Sequence, residues 1–434
     1  MRIGFAGNQN NYPFLLAREF RRRGHDVVAV IDRDEPLNRP EFRYDDVRHP
    51  YPAWIVEVDT VEIDDVAFRT PRWRRVVDAL AGCDAVVLNS WMHAAAAELP
   101  CPSLALTTGS DLDLYANPRA EGRYARNADM RPRPRGWARA AMALTTAGLP
   151  ALLDVANRLP APAYHVWRAR VFRRFVRRQR AGLAAATAVA AFPRGGVPVA
   201  DRILDEVRGP GAGRLFLMMA DSHWVRPAPP ARNARLRIFH ATRLDWQPPF
   251  PPMVGPWENK GTDVLVRGLG RFVRESGLAL DLHFVEKGQD VAATRELLDA
   301  EGLAPFVTWH PQLTQADVFA QYAAADIVTE QFGTHLLGMA GVEAMASARP
   351  VIANYRPEVL DAALGAPMPV AQARTPDEVA RQLARLADPA ERERAGRLGR
   401  AYVESHLTPS AAASQVEAAL GLAAPRVVAP GRAA

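Results

Sequence analysis

The chain has 434 residues and a net charge of +6, with 48% hydrophobic and 24% charged residues. These values are ordinary for a globular protein of one to three domains, and two domains are the expectation. Runs without a charge, such as residues 181–193, are too short to cross a bilayer. The two cysteines lack the spacing of a metal or redox motif.

The first third of the chain alternates apolar runs with amphipathic stretches. The runs predicted as strands are residues 3–6, 26–31, 85–88 and 104–106. A turn rich in glycine and asparagine follows the first run, and a helical pattern then carries Phe14, Leu15, Ala17 and Phe20 on one side. This alternation predicts a parallel sheet covered by helices. The chain opens on the first apolar run with no signal sequence before it, and a cytoplasmic protein is expected.

Residues 115–180 break the alternation and predict a basic helical insertion. Seven of the thirteen residues from 168 to 180 are arginine, whereas Val171, Phe172, Phe175 and Val176 share one face. One interpretation is an interfacial helix whose Trp167, Arg173, Arg174, Arg177 and Arg178 meet an anionic membrane surface. The other is a surface helix packed on its own domain. Such local charge predicts an anionic surface or ligand and no nucleic acid partner.

A proline-rich stretch at residues 226–230 reads as a linker, and a second alternation follows it. Predicted strands are residues 236–241, 280–285, 306–309, 326–329 and 350–353; predicted helices are 262–274, 291–300, 314–324 and 339–346, with a mostly helical end at 376–420. We therefore expect an N-terminal domain at 1–225, a C-terminal domain at 226–405, and a final helix and tail at 406–434 that packs back on the N-terminal domain. In open parallel sheets ligands bind at the carboxyl ends of strands, so a cleft between the domains is the expected site.

Only two lysines occur, against 52 arginines (54 minus 2), and each precedes a glycine. Lys260 and Lys287 both stand where a predicted strand or loop gives way to the next element. A lysine is a compact point charge and an arginine a planar fork, so the two do not exchange freely at a tight phosphate site. The adjacent glycine lets backbone approach a phosphate. Both lysines are therefore candidate phosphate ligands.

A glycine-rich stretch opens the predicted helix at 339–346. Gly338 and Met339 stand at its first turn, where free backbone N–H groups and the helix dipole favour a diphosphate. Glu343 follows about one turn later, and its carboxylate could accept hydrogen bonds from a ribose diol. This stretch predicts a nucleotide-binding site.

The run Glu343-Ala344-Met345-Ala346, followed by Arg349-Pro350-Val351-Ile352, resembles the signature of glycosyltransferase family 4, the retaining GT-B sugar transferases. The resemblance is strongest over residues 237–355, looser over the first 110 and absent from 115–180. It implies an α/β GT-B fold, in which two Rossmann-like parallel-sheet domains face each other across a cleft, here with the basic helical segment inserted in the first.

The resemblance also implies roles for single residues. Arg243 and Lys260 match the basic pair that holds the donor diphosphate, and Glu343 matches the second glutamate of the Glu-x7-Glu pattern, which binds the nucleotide ribose. The first glutamate, which contacts the donor sugar, is replaced by His335. His310 falls in the loop that usually frames the nucleobase.

Two turns of the first domain resemble family loops more weakly. Gly7, Asn8 and Asn11 stand where family members place a loop near the donor phosphates and the acceptor. The run Thr108-Gly109-Ser110-Asp111 resembles a His-Gly-Ser-Asp motif, with threonine in place of histidine, and is also an ordinary turn and helix-cap sequence. It predicts an acceptor-side position.

The resemblance implies a hexosyltransferase that moves a sugar from a nucleotide-diphosphate donor to a saccharide or lipid-linked acceptor with retention, in surface polysaccharide or glycoconjugate assembly. No Asp-x-Asp motif stands near the donor site, so neither a metal nor another cofactor is expected. The cytoplasmic protein would be free or peripheral on the inner face of the membrane. Two alternatives stay open: a nucleotide-sugar epimerase, which needs no acceptor, and a non-catalytic nucleotide-sugar-binding relative. A dinucleotide oxidoreductase is disfavoured, because the first turn lacks GxGxxG.

Overall fold

The computed structural model describes residues 1–33, 38–44, 46–108, 111–121, 161–221, 224–230, 233–240, 242–248, 258–333 and 336–422. For residues 161–167 it describes the helical backbone alone. Most of the predicted basic insertion and three predicted site residues, Gly109, Ser110 and His335, therefore lie outside the described residues. The chain divides into two compact units, and each is an α/β fold.

The first unit comprises Met1–Ala191, Val199–Leu215 and Val416–Ala434. Its strands are β1 (Arg2–Ala6), β2 (Asp26–Asp32), β3 (Ile55–Val58), β4 (Ala85–Asn89), β5 (Ser103–Leu106) and β6 (Ala188–Ala190). Its helices are α1 (Tyr12–Arg22), α2 (Ile63–Phe68), α3 (Pro71–Leu80), α4 (Ala161–Ala185) and α5 (Pro198–Arg208), the last beginning at the edge of the unit.

The first sheet has the order β3-β2-β1-β4-β5-β6, and every strand pair is parallel. Strand β4 is buried along its whole length, as expected where helices cover both faces of a parallel sheet. The strand order reverses direction between β1 and β4. The carboxyl ends of these two strands therefore flank the position where open α/β sheets bind ligands.

The second unit comprises Phe192–Pro198 and Phe216–Gln415. Its strands are β7 (Leu236–His240), β8 (Leu280–Val285), β9 (Val307–His310), β10 (Ile327–Thr329), β11 (Val351–Ala353) and β12 (Ala371–Gln372). Its helices are α6 (Thr262–Ser276), α7 (Val291–Ala300), α8 (Gln315–Ala324), α9 (Met339–Ala346), α10 (Pro357–Leu364), α11 (Pro376–Leu386) and α12 (Pro389–His406), and α13 (Pro409–Leu420) begins in this unit and ends in the first.

The second sheet repeats the topology of the first. Its order is β12-β11-β10-β7-β8-β9, again all parallel, so the reversal falls between β10 and β7. One apolar cluster, with Leu265 and Phe272 of α6, lies against Ile238 of the sheet. A second cluster joins Val342 of α9 to Phe239, the next residue of the same strand. Because neighbouring strand residues point to opposite faces, both faces of this sheet are covered.

The predicted linker at residues 226–230 is attached to the second unit. Arg349, which is buried, donates hydrogen bonds to the carbonyl oxygens of Ala228 and Pro229 at 3.3 and 2.6 Å. The separate segment 192–198 is attached to the same unit through Arg356, which donates to the carbonyl oxygens of Gly195 and Gly196 at 3.1 and 3.0 Å. The second unit thus begins before the expected boundary at residue 226.

The apolar side of α4 is covered by the first unit itself. Val171, Phe172, Phe175 and Val176 are buried, and α4 packs against α2 and the 3-10 segment Ser90–Ala97. This arrangement corresponds to a surface helix packed on its own domain. The basic side divides in two, because Arg178 is partly buried and paired with Glu98, whereas Arg173, Arg174 and Arg177 are exposed.

The C-terminal half of α13 contacts the segment that directly follows α1. The carboxylate of Glu417 lies 2.5 Å from a guanidinium nitrogen of Arg23 and 3.3 Å from Nε2 of His25. All three side chains are largely shielded from solvent. These contacts attach the last described helix to the first unit.

Candidate functional site

Polar side chains follow three adjacent strands of the second sheet. Glu330 follows β10, Arg243 lies in the loop after β7, and Lys287 lies in the loop after β8. Since parallel strands end at the same edge of a sheet, the topology brings these chain ends together. The β10 and β7 ends also flank the reversal of strand order, where ligands of open α/β sheets bind.

Two cations share one carboxylate at this edge. Nζ of Lys260 lies 3.0 Å from Oε2 of Glu258, and Nη2 of Arg243 lies 3.6 Å from the same oxygen. Arg243 also approaches Asp245 at 3.4 Å. The structure therefore brings the predicted basic pair together, and it adds Glu258, which the sequence patterns did not single out.

Lys287 belongs to the same charged cluster. The pKa of Lys287 is lowered, chiefly because burial disfavours the ammonium ion and also because Arg243 is a nearby positive charge. Its backbone carbonyl accepts a hydrogen bond from the N–H of Leu244 at 2.7 Å, which joins the loops after β7 and β8. Gly288 has φ +119° and would place a Cβ atom 2.5 Å from the carbonyl oxygen of Leu244, so a side chain there would separate the loops.

The backbone of Lys260 is held on both sides. Its N–H donates to the carbonyl oxygen of Asp245 at 2.8 Å, and its own carbonyl oxygen accepts from the N–H of Phe332 at 2.8 Å. Gly261, at φ +64°, lies so close to Gly333 that a Cβ atom would be 2.5 Å from its backbone nitrogen. The lysine therefore stands on a tight turn wedged between two loops, at the start of α6.

Glu330 is a site residue that the sequence prediction missed. It is 4% exposed; its Oε1 accepts from Thr242 Oγ1 at 3.2 Å and its Oε2 accepts from the backbone N–H of Gly338 at 3.1 Å. Burial raises the pKa of Glu330, whereas the N–H of Gly338 and the charge of Lys260 oppose the rise. Glu330 could have been predicted from its position directly after a buried strand that flanks the reversal of strand order.

Helix α9 begins beside this carboxylate. Its N-cap residue, Gly338, offers no side-chain cap, and Met339 at the first turn is partly exposed. Glu343 lies one turn further on, is 6% exposed and accepts a hydrogen bond from Nε2 of Gln315 at 3.3 Å. The predicted nucleotide loop and its glutamate thus lie on one short helix that starts at Glu330.

His310 ends β9 and contacts a second histidine. Its Nε2 lies 2.8 Å from Nδ1 of His283, whose Nε2 lies 3.0 Å from the carboxylate of Asp281. The pKa of His310 is lowered, first by burial and then by the electrostatic effect of its neighbours His283 and Arg237. His310, which was predicted to lie beside the nucleobase, is therefore one end of a hydrogen-bonded chain. Its neighbour, His283, was not singled out from the sequence.

The asparagines after β1 hold their own turn. Nδ2 of Asn8 donates to Oδ1 of Asn11 at 2.7 Å and to the carbonyl oxygen of Asn38 at 2.6 Å, and its Oδ1 accepts from the N–H of Phe14 at 3.0 Å. Both Asn8 and Asn11 are buried. Gly7, at φ +78°, closely approaches the carbonyl oxygen of Asn89. These residues shape the carboxyl end of β1, and their amides are engaged within the protein.

Thr108 and Asp111 form a small polar centre at the end of β5. Oδ2 of Asp111 accepts from the backbone N–H of Thr108 at 2.7 Å, and Oγ1 of Thr108 accepts from Nδ2 of Asn89 at 3.0 Å and donates to Oε1 of Gln9 at 3.2 Å. Oδ1 of Asp111 is buried. Burial raises the pKa of Asp111 to about 7. The centre therefore joins the loops after β1, β4 and β5.

The described residues contain neither a cluster of metal ligands nor a membrane-spanning helix. No group of three or more histidine, cysteine, aspartate or glutamate side chains in the described ranges is arranged to hold a metal ion. Within those same ranges, no helix combines the length and the apolar character that a membrane span requires.

Comparisons with known proteins decide the fold. The family model described as glycosyl transferases group 1 matches residues 252–388, which include Lys260, Glu330 and Glu343. Sucrose-phosphate synthase from Thermosynechococcus elongatus superposes with a TM-score of 0.53 and 14% identity, covering 96% of this chain and 98% of the other. The chain has the GT-B fold, and residues 252–388 match the group 1 glycosyl transferase model.

Two further GT-B structures extend over nearly the whole chain. HepE from Anabaena, in complex with UDP and glucose, has a TM-score of 0.56 and 14% identity, covering 97% of this chain and 99% of that one. A glycosyltransferase from Rickettsia africae has a TM-score of 0.54 and 12% identity, covering 97% and 98%. No curated protein sequence matches the chain. At these identities the likeness establishes the two-sheet GT-B architecture predicted from the sequence.

Proposed function

We propose that this protein transfers a hexose from a nucleotide-diphosphate sugar to an acceptor with retention of anomeric configuration. The observation that carries the proposal is the cluster of Arg243, Lys260 and Lys287 beside the N-terminus of α9, all within the group 1 glycosyl transferase domain or next to it. Breaking the bond between sugar and diphosphate builds negative charge on the leaving phosphates. Fixed cations and free backbone N–H groups stabilise such charge.

The proposal gives the acidic residues separate roles. Glu343 would bind the ribose diol, as the resemblance to family 4 implies. Glu330 would take the role of the first glutamate of the family pattern, near the donor sugar, because it already lies against Gly338 at the start of α9. Under this assignment, twelve residues separate the two glutamates instead of seven. His335 then does not stand in the place of the first glutamate.

No metal enters the proposed reaction. The charge that a divalent ion would supply at the diphosphate is supplied by Arg243, Lys260 and Lys287. Donor binding should therefore persist in a chelator such as EDTA. Loss of binding in EDTA would contradict this part of the proposal.

On the acceptor side, the proposal uses the first unit. The partly exposed hydroxyl group of Thr108, near the ends of β1, β4 and β5, suits the hydroxyl groups of a saccharide, and the buried Asp111 holds the backbone of Thr108 in place. A lipid-linked acceptor fits the exposed arginines of α4, since Arg173, Arg174 and Arg177 would meet anionic headgroups without the apolar side of the helix leaving its core. Glycoconjugate assembly at the inner face of the membrane is the corresponding pathway.

The deciding experiment is calorimetric titration with UDP, GDP, ADP and dTDP in EDTA. UDP comes first, because a structurally similar protein is described in complex with UDP and glucose. We expect tight binding of one nucleotide, followed by transfer from its sugar derivatives, with NMR of the product reporting the retained anomeric configuration. Binding of none would contradict the proposal, and turnover of the donor without any acceptor would favour the epimerase alternative.

A further inference from the structure

A single carboxylate oxygen lies between the two cations of the proposed diphosphate site. Oε2 of Glu258 is 3.0 Å from Nζ of Lys260 and 3.6 Å from Nη2 of Arg243. Charge-assisted N–H···O contacts to a phosphate oxygen are about 2.7–2.9 Å long. The oxygen of Glu258 is therefore close to the place that a phosphate oxygen would take between the same two side chains.

The ammonium group of Lys260 has little free surface. Its side chain is 10% exposed and that of Glu258 is 14% exposed, whereas the side chain of Arg243 is 43% exposed. A ligand can reach Arg243 from solvent. It can contact the ammonium group of Lys260 only at the position that the carboxylate of Glu258 now occupies. Full engagement of a diphosphate thus requires Glu258 to move.

Three acids belong to this cluster: Asp245, Glu258 and Glu330. Asp245 accepts from the backbone N–H of Gln289 at 2.8 Å, and Glu330 accepts from the backbone N–H of Gly338 at 3.1 Å. Among the described residues, Glu258 is the acid within ion-pair distance of both Arg243 and Lys260. It is the acid whose displacement would release both cations for a ligand.

We propose that Glu258 is an internal competitor of the donor diphosphate. This rests on the proposed function, in which Arg243 and Lys260 bind that group. A diphosphate carries enough negative charge to replace one carboxylate and gain further contacts, whereas a neutral or singly charged ligand does not. When the nucleotide diphosphate is left as product, the returning carboxylate competes with it and speeds its release. Glu258 thus sets charge selectivity and the lifetime of the product complex.

The test is titration of the wild type and Glu258→Gln with UDP and with inorganic pyrophosphate, which is independent of the base. Glutamine keeps the size of the side chain and removes its charge. We expect E258Q to bind both ligands about tenfold more tightly, which corresponds to about 1.4 kcal/mol. Stopped-flow measurement should assign most of the gain to slower dissociation.

Glu275→Gln is the matched control. Glu275 also pairs with an arginine, Arg271, at 2.6 Å, but it lies at the other end of α6, roughly 20 Å from Lys260 at about 1.5 Å per residue. It should leave both affinities unchanged. A second check is the cycle with Lys260→Ala, in which the effect of E258Q should shrink because one of the released cations is gone.

Equal or weaker binding of UDP and pyrophosphate by E258Q, with the wild type binding UDP, would overturn the role of Glu258 and leave the proposed function standing. Weaker binding would mean that the carboxylate positions Lys260 for the ligand. If the wild type and E258Q both fail to bind either compound, the diphosphate site itself is refuted and Glu258 has no ligand to compete with. A thermal melt of each variant separates these results from loss of folding.

Discussion

The carboxylate of Glu330 accepts a hydrogen bond from the backbone N–H of Gly338 at 3.1 Å. This contact joins the end of β10 to the first residue before α9, and Thr242 from the loop after β7 donates to the other carboxylate oxygen at 3.2 Å. A Cβ atom on Gly338 would lie 2.8 Å from the carboxylate, so the close approach depends on the glycine. Two strand ends and the start of a helix therefore converge on one buried acid.

Glu330→Gln tests whether that acid acts on the donor sugar. The amide keeps the size of the side chain but loses the negative charge beside Lys260. We expect turnover of the donor identified by titration to fall on the order of 100-fold, with UDP affinity changed less than about threefold. Steady-state kinetics and calorimetry measure the two effects, with Glu275→Gln as the control for removing a carboxylate charge. Unchanged turnover would make Glu330 a purely structural residue.

We expect that UDP binding tolerates neither the shortening of Lys260 nor its exchange for arginine. Lys260→Ala removes a charge-assisted contact, and we expect UDP binding to weaken by about 1–3 kcal/mol. Lys260→Arg keeps the charge, but the planar fork does not fit a position whose side chain is 10% exposed, so it should restore less than half of the lost binding energy. Arg267→Ala, an exposed change on α6, is the control. Full activity in the arginine variant would argue against a tight phosphate site.

The stability of the first unit should depend on the ionisation of Asp111. Burial raises its pKa to about 7 from 3.8, so the folded state holds this proton more tightly than the unfolded chain. The stabilising contribution is present at low pH and is lost as pH rises from about 4 through about 7. Asp111→Asn stays neutral, so its melting temperature relative to the wild type should be higher at pH 8 than at pH 5. The shift is worth at most about 1.4 kcal/mol per pKa unit.

Asp299→Asn, at an exposed position on α7, is the control for that pH experiment. Its melting temperature should differ from that of the wild type by the same amount at pH 5 and pH 8. If the melting temperature of Asp111→Asn relative to the wild type is also the same at pH 5 and pH 8, Asp111 is not held as a buried acid.

Reversing the exposed arginines of α4 tests membrane attachment. Arg173, Arg174 and Arg177 are exposed; Arg173 lies 3.1 Å from the carboxylate of Glu121, and Arg174 lies over the ring of Phe68. Arg178 is partly buried, pairs with Glu98 and lies over the ring of Trp73, with 5.5 Å between its Cζ atom and the ring centroid. The triple change to glutamate should abolish co-sedimentation with vesicles containing phosphatidylglycerol, because each basic residue near an anionic surface contributes about 1 kcal/mol. Melting should be little affected.

Arg178→Glu is the contrasting variant, since it breaks a partly buried pair and should lower stability by about 3–5 kcal/mol if the pair behaves as a buried one. Vesicle binding that survives the triple change, or that the wild type lacks, would remove the lipid contact from the proposal.

The bounds of strands and helices could be predicted from the sequence where the apolar pattern was long. The strand predicted at 280–285 and the helices predicted at 291–300 and 339–346 have the bounds found in the structure. Strands β3, β6 and β12 were missed. Ala188–Ala190 and Ala371–Gln372 have only three and two residues, too few for any periodicity, and they owe their pairing to the sheet beside them.

The candidate site was predictable where residue type and position agree, as for Lys260 and Arg243. Glu330 was not singled out from the sequence, because the family spacing from Glu343 leads to residue 335 and no local pattern fixes the length of the loop between β10 and α9. The engagement of Asn8 within its own turn was equally hidden. Its partner Asn38 is 30 residues away, so only the folded chain shows that the amide is occupied.

The division of the chain decides how the second unit could be produced alone. A fragment covering residues 216–415 would omit segment 192–198, and Arg356 would lose the carbonyl groups of Gly195 and Gly196. A fragment starting at residue 192 would instead carry residues 199–215, which belong to the other half. A minichain that joins residues 192–198 to 216–415 through a short glycine-serine connector would retain both the Arg356 contacts and the cluster around Lys260.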